Sequence, residues 1–508
     1  MRLSRVFKVI LVLVLCAGGF LAALRVMRAQ QPAAKDALAE ADEKIFTEIR
    51  DHNEIMVNLE YLTDMIGQRL TGSENLKKAN QWTRQKFADE GSTNAHLEAW
   101  SIARSWTRGT ARGRILSPAE HAITIASYGW APGTGGPVSG PVVYAQGESL
   151  EELEKFKGKL KGAIVITRDP TPLPPQDTPA PSPLLVPFDD PYLLMRPQRP
   201  GERREVMGEP FRRFIRARAE FFKQEGVLAL LTDSGKFDGL LNMTGLGGRN
   251  YGIAPIPAAF VTSEDFSLIW RLMQRGPVRV ELDITNTFTE GPMDVYNTVA
   301  EIRGSEKPDE FVVLGAHLDS WDLGTGATDN GTGSIVVLEA ARALAKLGLQ
   351  PKRTIRFALF SGEEQGLNGS RAYVASHRDE LPKISAAMVH DTGTGRVISI
   401  SLMRNYQARA VMDKVVAPLH ELGLAELSER WMTGSDHLAF EEAGVPGFFC
   451  IQEPAQYFQT HHSQVDTFDA AHEADLVEGA QVMAAWAYNV AQLPELLPRK
   501  VKEPAPKP

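Results

Sequence analysis

His317 closes the apolar run Phe311-Val-Val-Leu-Gly-Ala, with Asp319 two residues on and Asp329-Asn-Gly-Thr-Gly333 twelve residues after the histidine. The acidic pair Glu363-Glu364 follows the run Arg353-Thr-Ile-Arg-Phe-Ala-Leu-Phe360, and Asp391 ends Ile384-Ser-Ala-Ala-Met-Val-His390. Last comes His461-His462, in a polar stretch that runs to Asp466-Thr467. Each taken alone has an ordinary reading: a strand-end histidine, a helix-capping Asp/Asn with turn glycines, a solvated acidic pair. Together they form a set of nitrogen and oxygen donors of the kind zinc takes. They allow a pair of zinc ions sharing the Asp329 carboxylate, one also held by His317 and Asp391, the other by Glu364 and His462. A shared carboxylate is a usual device in two-metal hydrolases, whose ions lie about 3.5–4 Å apart. Adjacent acids suit the chemistry because one can bind metal while its neighbour serves as general base to a metal-activated water. Asp319 is placed to orient the His317 imidazole as an outer carboxylate.

For these groups to meet, the apolar runs must be neighbouring strands of one sheet, whose carboxyl ends share a crevice. From Tyr296 onward the pattern alternates strand and helix: strands over 298–302, 310–316, 353–360, 384–390 and 447–451, and helices over 334–347, 367–377, near 408–422 and over 474–493. Buried apolar strands joined by helices predict an α/β fold, a three-layer αβα domain around a mixed sheet. Ser73 ahead of Leu76, Ala79, Trp82 and Phe87 predicts a capped helix before any strand. Residues 123–284 read differently, as short β-rich runs over 138–144, 162–167, 227–231 and 258–261 punctuated by Gly and Pro. Twelve prolines stand between Pro170 and Pro210, too many for helix or central strand.

These motifs resemble those of the di-zinc exopeptidases that include bacterial secreted aminopeptidases, glutamate carboxypeptidase II and plasma glutamate carboxypeptidase, and His317-Leu-Asp-Ser-Trp-Asp-Leu-Gly-Thr-Gly is most similar to the last. The resemblance covers roughly residues 50–120 and 290–490. It implies that His317, Asp329, Glu364, Asp391 and His462 bind two Zn2+ per chain and that Glu363 is the acid/base. His461 stands where several relatives have a tyrosine thought to stabilise the tetrahedral intermediate, so it is a candidate oxyanion stabiliser. Gly140-Pro-Val-Val-Tyr-Ala and Phe156-Lys-Gly-Lys-Leu-Lys-Gly-Ala-Ile-Val-Ile resemble the protease-associated domain of the same family. The organisation expected is a leader at 1–29, catalytic segments at 44–121 and 291–493, a protease-associated-like insert at 122–290 and a tail at 494–508. The function expected is a zinc-dependent exopeptidase acting on short peptides or dipeptides. Two alternatives stand beside it, a single-zinc glutaminyl cyclase-like enzyme and an inactive receptor module of the same fold.

The net charge of −8, without a Lys/Arg block, leaves no electrostatic footprint for nucleic acid. Basic residues up to Lys8 and the apolar run from Val9 to Leu24 read as a secretory leader with an imperfect cleavage site at Met27-Arg28-Ala29, placing the enzyme in the periplasm or outside the cell. An uncleaved amino-terminal membrane anchor and a homodimer stay open. Leu15 ahead of Cys16 departs from a lipid-anchor box. Cys450 is the other cysteine, so a cleaved chain has no internal disulfide.

Overall fold

The computed structural model describes residues 37–172, 209–236, 238–245 and 253–500. The leader with its cleavage site and Cys16, most of the proline-dense stretch and the last eight residues lie outside the described residues. The chain divides into a short unit, Met1–Lys44, whose described residues are helical, and a large one, Ile45–Pro508. The large unit carries two sheets. No helix among the described residues is long and apolar enough to cross a membrane.

The first sheet has seven strands, in the order Thr93–Thr107, Thr287–Ile302, Arg353–Phe360, Lys307–His317, Ile384–Val389, Gly447–Gln452 and Val397–Ser401. Its centre is parallel and its outer strands are antiparallel. Every residue of Arg353–Phe360, Ile384–Val389 and Gly447–Gln452 is buried, as expected of strands covered on both faces. Side chains alternate across the sheet. Phe311 and Val313 share a cluster with Tyr373 and Phe440, from the helices Asn368–Ser376 and His437–Glu442. Val312 and Leu314 therefore point to the other face, where the helices Thr332–Lys346 and Glu473–Ala491 pack on Lys307–His317 and on each other. Ser73 caps the helix Glu74–Asp89, its Oγ accepting the N–H of Leu76 at 3.2 Å. The helix expected near 408–422 is a helix Arg409–Val416 continued by a tighter turn Ala417–Leu422, where Pro418 lacks the N–H that a regular helix needs.

Parallel register sets up the chemistry. His317 lies opposite Phe360 and Gly315 opposite Val389, so all three chains leave the sheet on the same side and at the same level. The residues just beyond the three strands, Leu318-Asp319, Ser361-Gly-Glu-Glu364 and His390-Asp391, enter one crevice.

The second sheet has eight strands, ordered His121–Ile123, Ala111–Ser117, Arg279–Ile284, Val138–Tyr144, Ile164–Ile166, Ala229–Asp233, Ala258–Val261 and Ile125–Ser127. The expected start of the insert at 122 falls inside this sheet. Ala111–Ser117 pairs there with Arg279–Ile284, yet its alternation of exposed and half-buried residues carries little hydrophobic signal. The chain crosses between the sheets at Arg108–Thr110 and returns at Thr285–Asn286. The two crossings are bonded together: Thr285 N–H donates to Thr110 O at 3.0 Å and Gly109 N–H to Asn286 Oδ1 at 3.1 Å. A Cβ at Gly109 would lie 2.3 Å from Thr285 O, so this close approach requires glycine.

Candidate metal centre

His317 is buried at its strand end. Its Nδ1 donates to the main-chain carbonyl of Asp319 at 2.9 Å, which leaves Nε2 as the electron-pair donor. That Nε2 stands 3.2 Å from Asp329 Oδ1 and 3.2 Å from Asp391 Oδ1. The Asp319 carboxylate also faces the imidazole, its Oδ1 3.7 Å from His317 Nδ1. Its oxygens accept from Thr71 Oγ1 at 3.0 Å and from the main-chain N–H groups of Glu363 and Glu364 at 3.2 and 3.4 Å, so it fixes the acidic turn while its carbonyl fixes the imidazole.

Asp329 lies in the irregular segment Ala327–Gly331 ahead of the helix Thr332–Lys346, with φ −130° and ψ 87°, and a cis peptide bond joins it to Asn330. Asn330 accepts from Gly333 N–H at 3.0 Å and donates to His390 O at 2.9 Å, so the turn residue both caps the helix and ties it to the next strand end. The second Asp329 oxygen, Oδ2, stands 3.3 Å from His462 Nε2. One carboxylate thus faces two imidazoles, one on each oxygen. Glu364 Oε2 is 2.9 Å from the same His462 Nε2.

Donor atoms of His317, Asp329 and Asp391 lie within 4.8 Å of one another, as do those of Asp329, His461 and His462. Asp329 Oδ2 and Glu364 Oε1 are buried with no hydrogen-bond partner among the described residues. Buried polar oxygens ordinarily have partners. Orphaned carboxylate oxygens converging with imidazole nitrogens fit a pair of divalent cations sharing Asp329.

Protonation reflects this crowding of charge. Burial pushes the Glu363 carboxyl well above the usual range; His317 pulls against it, and Asp391, Asp436 and Glu364 add to the rise. Burial and Asp329 raise Glu364 to about 7, against His462. Burial would lower His462, but Glu364 and Asp329 take it up to about 10. Burial and its charged neighbour His462 hold His461 well below the usual imidazole range. The two rings stack at 3.7 Å with 16° between planes, and His461 Nε2 lies 3.7 Å from Asp329 Oδ2.

The cleft beside these groups is lined by Trp321, Gly324, Gly326, Asp329, Glu364, His462, Ser463 and Asp466. Trp321 meets His462 edge-on at 5.9 Å and Trp130 edge-on at 6.4 Å. A Cβ at Gly129 would fall 2.5 Å from the Trp321 ring. That glycine, outside the first sheet, lets the backbone press against the indole.

Several site residues carried too little signal in the sequence to be singled out. Asp466, in the run His462-Ser-Gln-Val-Asp-Thr, accepts from Thr328 N–H at 2.6 Å, Thr328 Oγ1 at 2.8 Å and Asp329 N–H at 3.3 Å, and so holds the Asp329 turn. Arg69, in Gly67-Gln-Arg-Leu-Thr-Gly72, is fully buried and donates to the carbonyls of Leu318, Gly67, Thr325 and Gly326, tying the loops around the site. Asp436 lies buried, its carboxyl raised to about 7 by burial against the pull of His317. A lone Arg between glycines and a lone Asp after Ser435 have no spacing that marks them.

Peptidase family M28 matches the chain over residues 297–487. Carboxypeptidase Q of Mus musculus is 32% identical over 441 residues, 86% of this chain and 86% of its own length. Among solved structures, a Peptidase M28 precursor from Shewanella amazonensis superposes with a TM-score of 0.75 at 27% identity, over 92% of this chain and 100% of that one. A zinc aminopeptidase from Bacillus subtilis gives a TM-score of 0.61 at 20% identity, over 85% of this chain and 94% of that one, a likeness of fold.

Proposed function

This chain belongs to peptidase family M28 and is a metallopeptidase, and on that premise we propose that it is an exported zinc exopeptidase hydrolysing short peptides. The observation that carries the reading is the Asp329 carboxylate, with Oδ1 3.2 Å from His317 Nε2 and Oδ2 3.3 Å from His462 Nε2. His317, Asp329 and Asp391 would hold one Zn2+, and Asp329, Glu364 and His462 the other. Zinc held there supplies Lewis acidity, polarising a carbonyl oxygen and drawing the pKa of a water toward about 7. Glu363 takes the proton of the attacking water and returns it to the leaving amine nitrogen. Burial suits it to that exchange, because a carboxyl raised toward neutrality can both accept and give a proton. Asp319 holds Glu363 by its N–H, and His461, beside Asp329 and neutral, is the donor we assign to the developing oxyanion. Exopeptidase action is supported by the likeness to carboxypeptidase Q, and Trp321, against Gly129 and Trp130, lines the cleft beside Asp329, Glu364 and His462.

Metal analysis after purification without chelator tests the reading. About two zinc ions per chain are expected, with activity lost in chelator and restored by zinc or cobalt; an active preparation holding only trace zinc would sink it. Free dipeptides, amino-blocked and carboxyl-blocked peptides then separate the exopeptidase types. Cleavage of free dipeptides with loss on blocking one terminus is expected, and equal cleavage of doubly blocked peptides would contradict it. Export rests on the basic and apolar leader, and terminal sequencing of chain recovered outside the cytoplasm tests it.

A further inference from the structure

Lys236 follows the second-sheet strand Ala229–Asp233 and is 1% exposed. Its Nζ donates to the main-chain carbonyls of Phe458 at 2.5 Å, His461 at 2.9 Å and, at the limit, Gln459 at 3.4 Å. A buried ammonium forfeits its hydration unless its three protons are taken up, and here carbonyls of a single stretch of chain take them. A second tie lies close by: Gln464 Nε2 donates to Gly239 O at 3.1 Å, and Leu241 N–H donates to Gln464 Oε1 at 2.9 Å. Lys236, Gly239 and Leu241 thus grip the chain on both sides of His462. That histidine has φ +54°, a left-handed conformation that a side chain with a Cβ disfavours and that persists where the surroundings over-determine it. Without the grip the residue would relax toward φ < 0 and swing its ring away from Asp329 and Glu364.

We propose that Lys236, with Gln464, is a positioning residue for the second cation. The second sheet reaches into the peptidase site and fixes the backbone of His461-His462, so that the His462 imidazole meets Asp329 and Glu364. The proposal rests on the reading of His462 as a ligand. It makes the second sheet part of the metal centre, and it separates the two cations: the one held by His317 and Asp391 does not depend on this grip.

The test uses the full chain carrying Lys236→Met, Gln464→Ala or His462→Ala, titrated with cobalt by visible absorption and chelator competition so that the two ions are resolved. Losing an outer-shell support typically costs about 10–100-fold in metal affinity, so Lys236→Met and Gln464→Ala should weaken the second ion by that factor and leave the first within about twofold. Both ions weakened alike would overturn the proposal in favour of a general structural role. A second ion unchanged in both variants, while His462→Ala loses it, overturns the positioning role and leaves the ligand assignment standing. His462→Ala that keeps both ions overturns the assignment and the proposal with it. Should Lys236→Met not fold, Gln464→Ala, half-buried at the rim, decides by the same criteria.

Discussion

His317 and Asp319 are hydrogen-bonded through the backbone: the imidazole Nδ1 donates to the Asp319 carbonyl at 2.9 Å, while the Asp319 carboxylate, its Oδ1 3.7 Å from that nitrogen, accepts from the N–H groups of Glu363 and Glu364. One residue therefore supports two strand ends, by two different groups. Asp319→Ala keeps the carbonyl and removes the carboxylate, so the tautomer of His317 and its cation should persist while the acidic turn loosens. The expected result is a fall of about 10–100-fold in kcat. Zinc content and kcat measured on the same preparation check it, and loss of the His317 cation with the turn's function intact would reverse the assignment.

The adjacent glutamates predict opposite phenotypes. Glu364 touches His462 at 2.9 Å, so Glu364→Ala should lose zinc. Glu363→Gln should keep its zinc and lose about 10²–10⁴-fold in kcat, the usual worth of a general acid–base group. Metal analysis beside steady-state rates distinguishes them; a Glu363 variant without zinc and an active Glu364 variant would exchange the two roles.

Much of this geometry was legible because parallel strands make sequence order and spatial order agree. Three apolar runs, each ending in a donor, must deliver those donors to one edge if the strands are neighbours, and the register His317 to Phe360 and Gly315 to Val389 does so. The strand Thr93–Thr107 was not legible, since its burial is patchy and its pairing with Thr287–Ile302 depends on partners about two hundred residues away. Asp319 was legible in part: spacing places its carboxylate near the imidazole, where Oδ1 lies 3.7 Å from Nδ1, but does not say that the main-chain carbonyl takes the hydrogen bond. Arg69 and Lys236 bind carbonyls, which every residue has, so nothing in the sequence marks their partners.

Glu478 gives a prediction about pH and stability. It is buried on the helix Glu473–Ala491 and accepts Val397 N–H at 2.9 Å. Burial pushes its carboxyl up to about 8, against the pull of that N–H and of Arg396, with Asp475 and Glu453 adding to the rise. The folded state thus favours the protonated form. Its contribution is fully present below the unfolded value of about 4.3 and is lost as pH rises through about 8, by up to roughly 1.4 kcal/mol per unit. Glu478→Gln retains an acceptor for Val397 and removes the titration, so its Tm should fall less than the parent's between about pH 5 and pH 8. Parallel Tm curves would show that Glu478 does not titrate in that window.

His461 stands where it could either bind the proposed second cation or serve the substrate. Its Nε2 lies 3.7 Å from Asp329 Oδ2, and its ring is clamped between His462, stacked at 3.7 Å, and Tyr457, edge-on at 5.0 Å. As a ligand it would compete with Glu364 for one place; as an oxyanion donor it would leave the metal untouched and act only when charge develops on substrate. The second role is favoured because Glu364 already stands 2.9 Å from His462 Nε2 with a second oxygen buried and unpartnered, and so completes the donor set from the opposite side. His461→Phe preserves the stack and removes the donor. It should keep two zinc ions and lower kcat about 10²–10³-fold, the usual cost of one oxyanion donor, with little change in KM. A His461→Phe enzyme that loses one zinc, beside a Glu364→Ala enzyme that keeps both, would place His461 in the coordination shell and move Glu364 out of it.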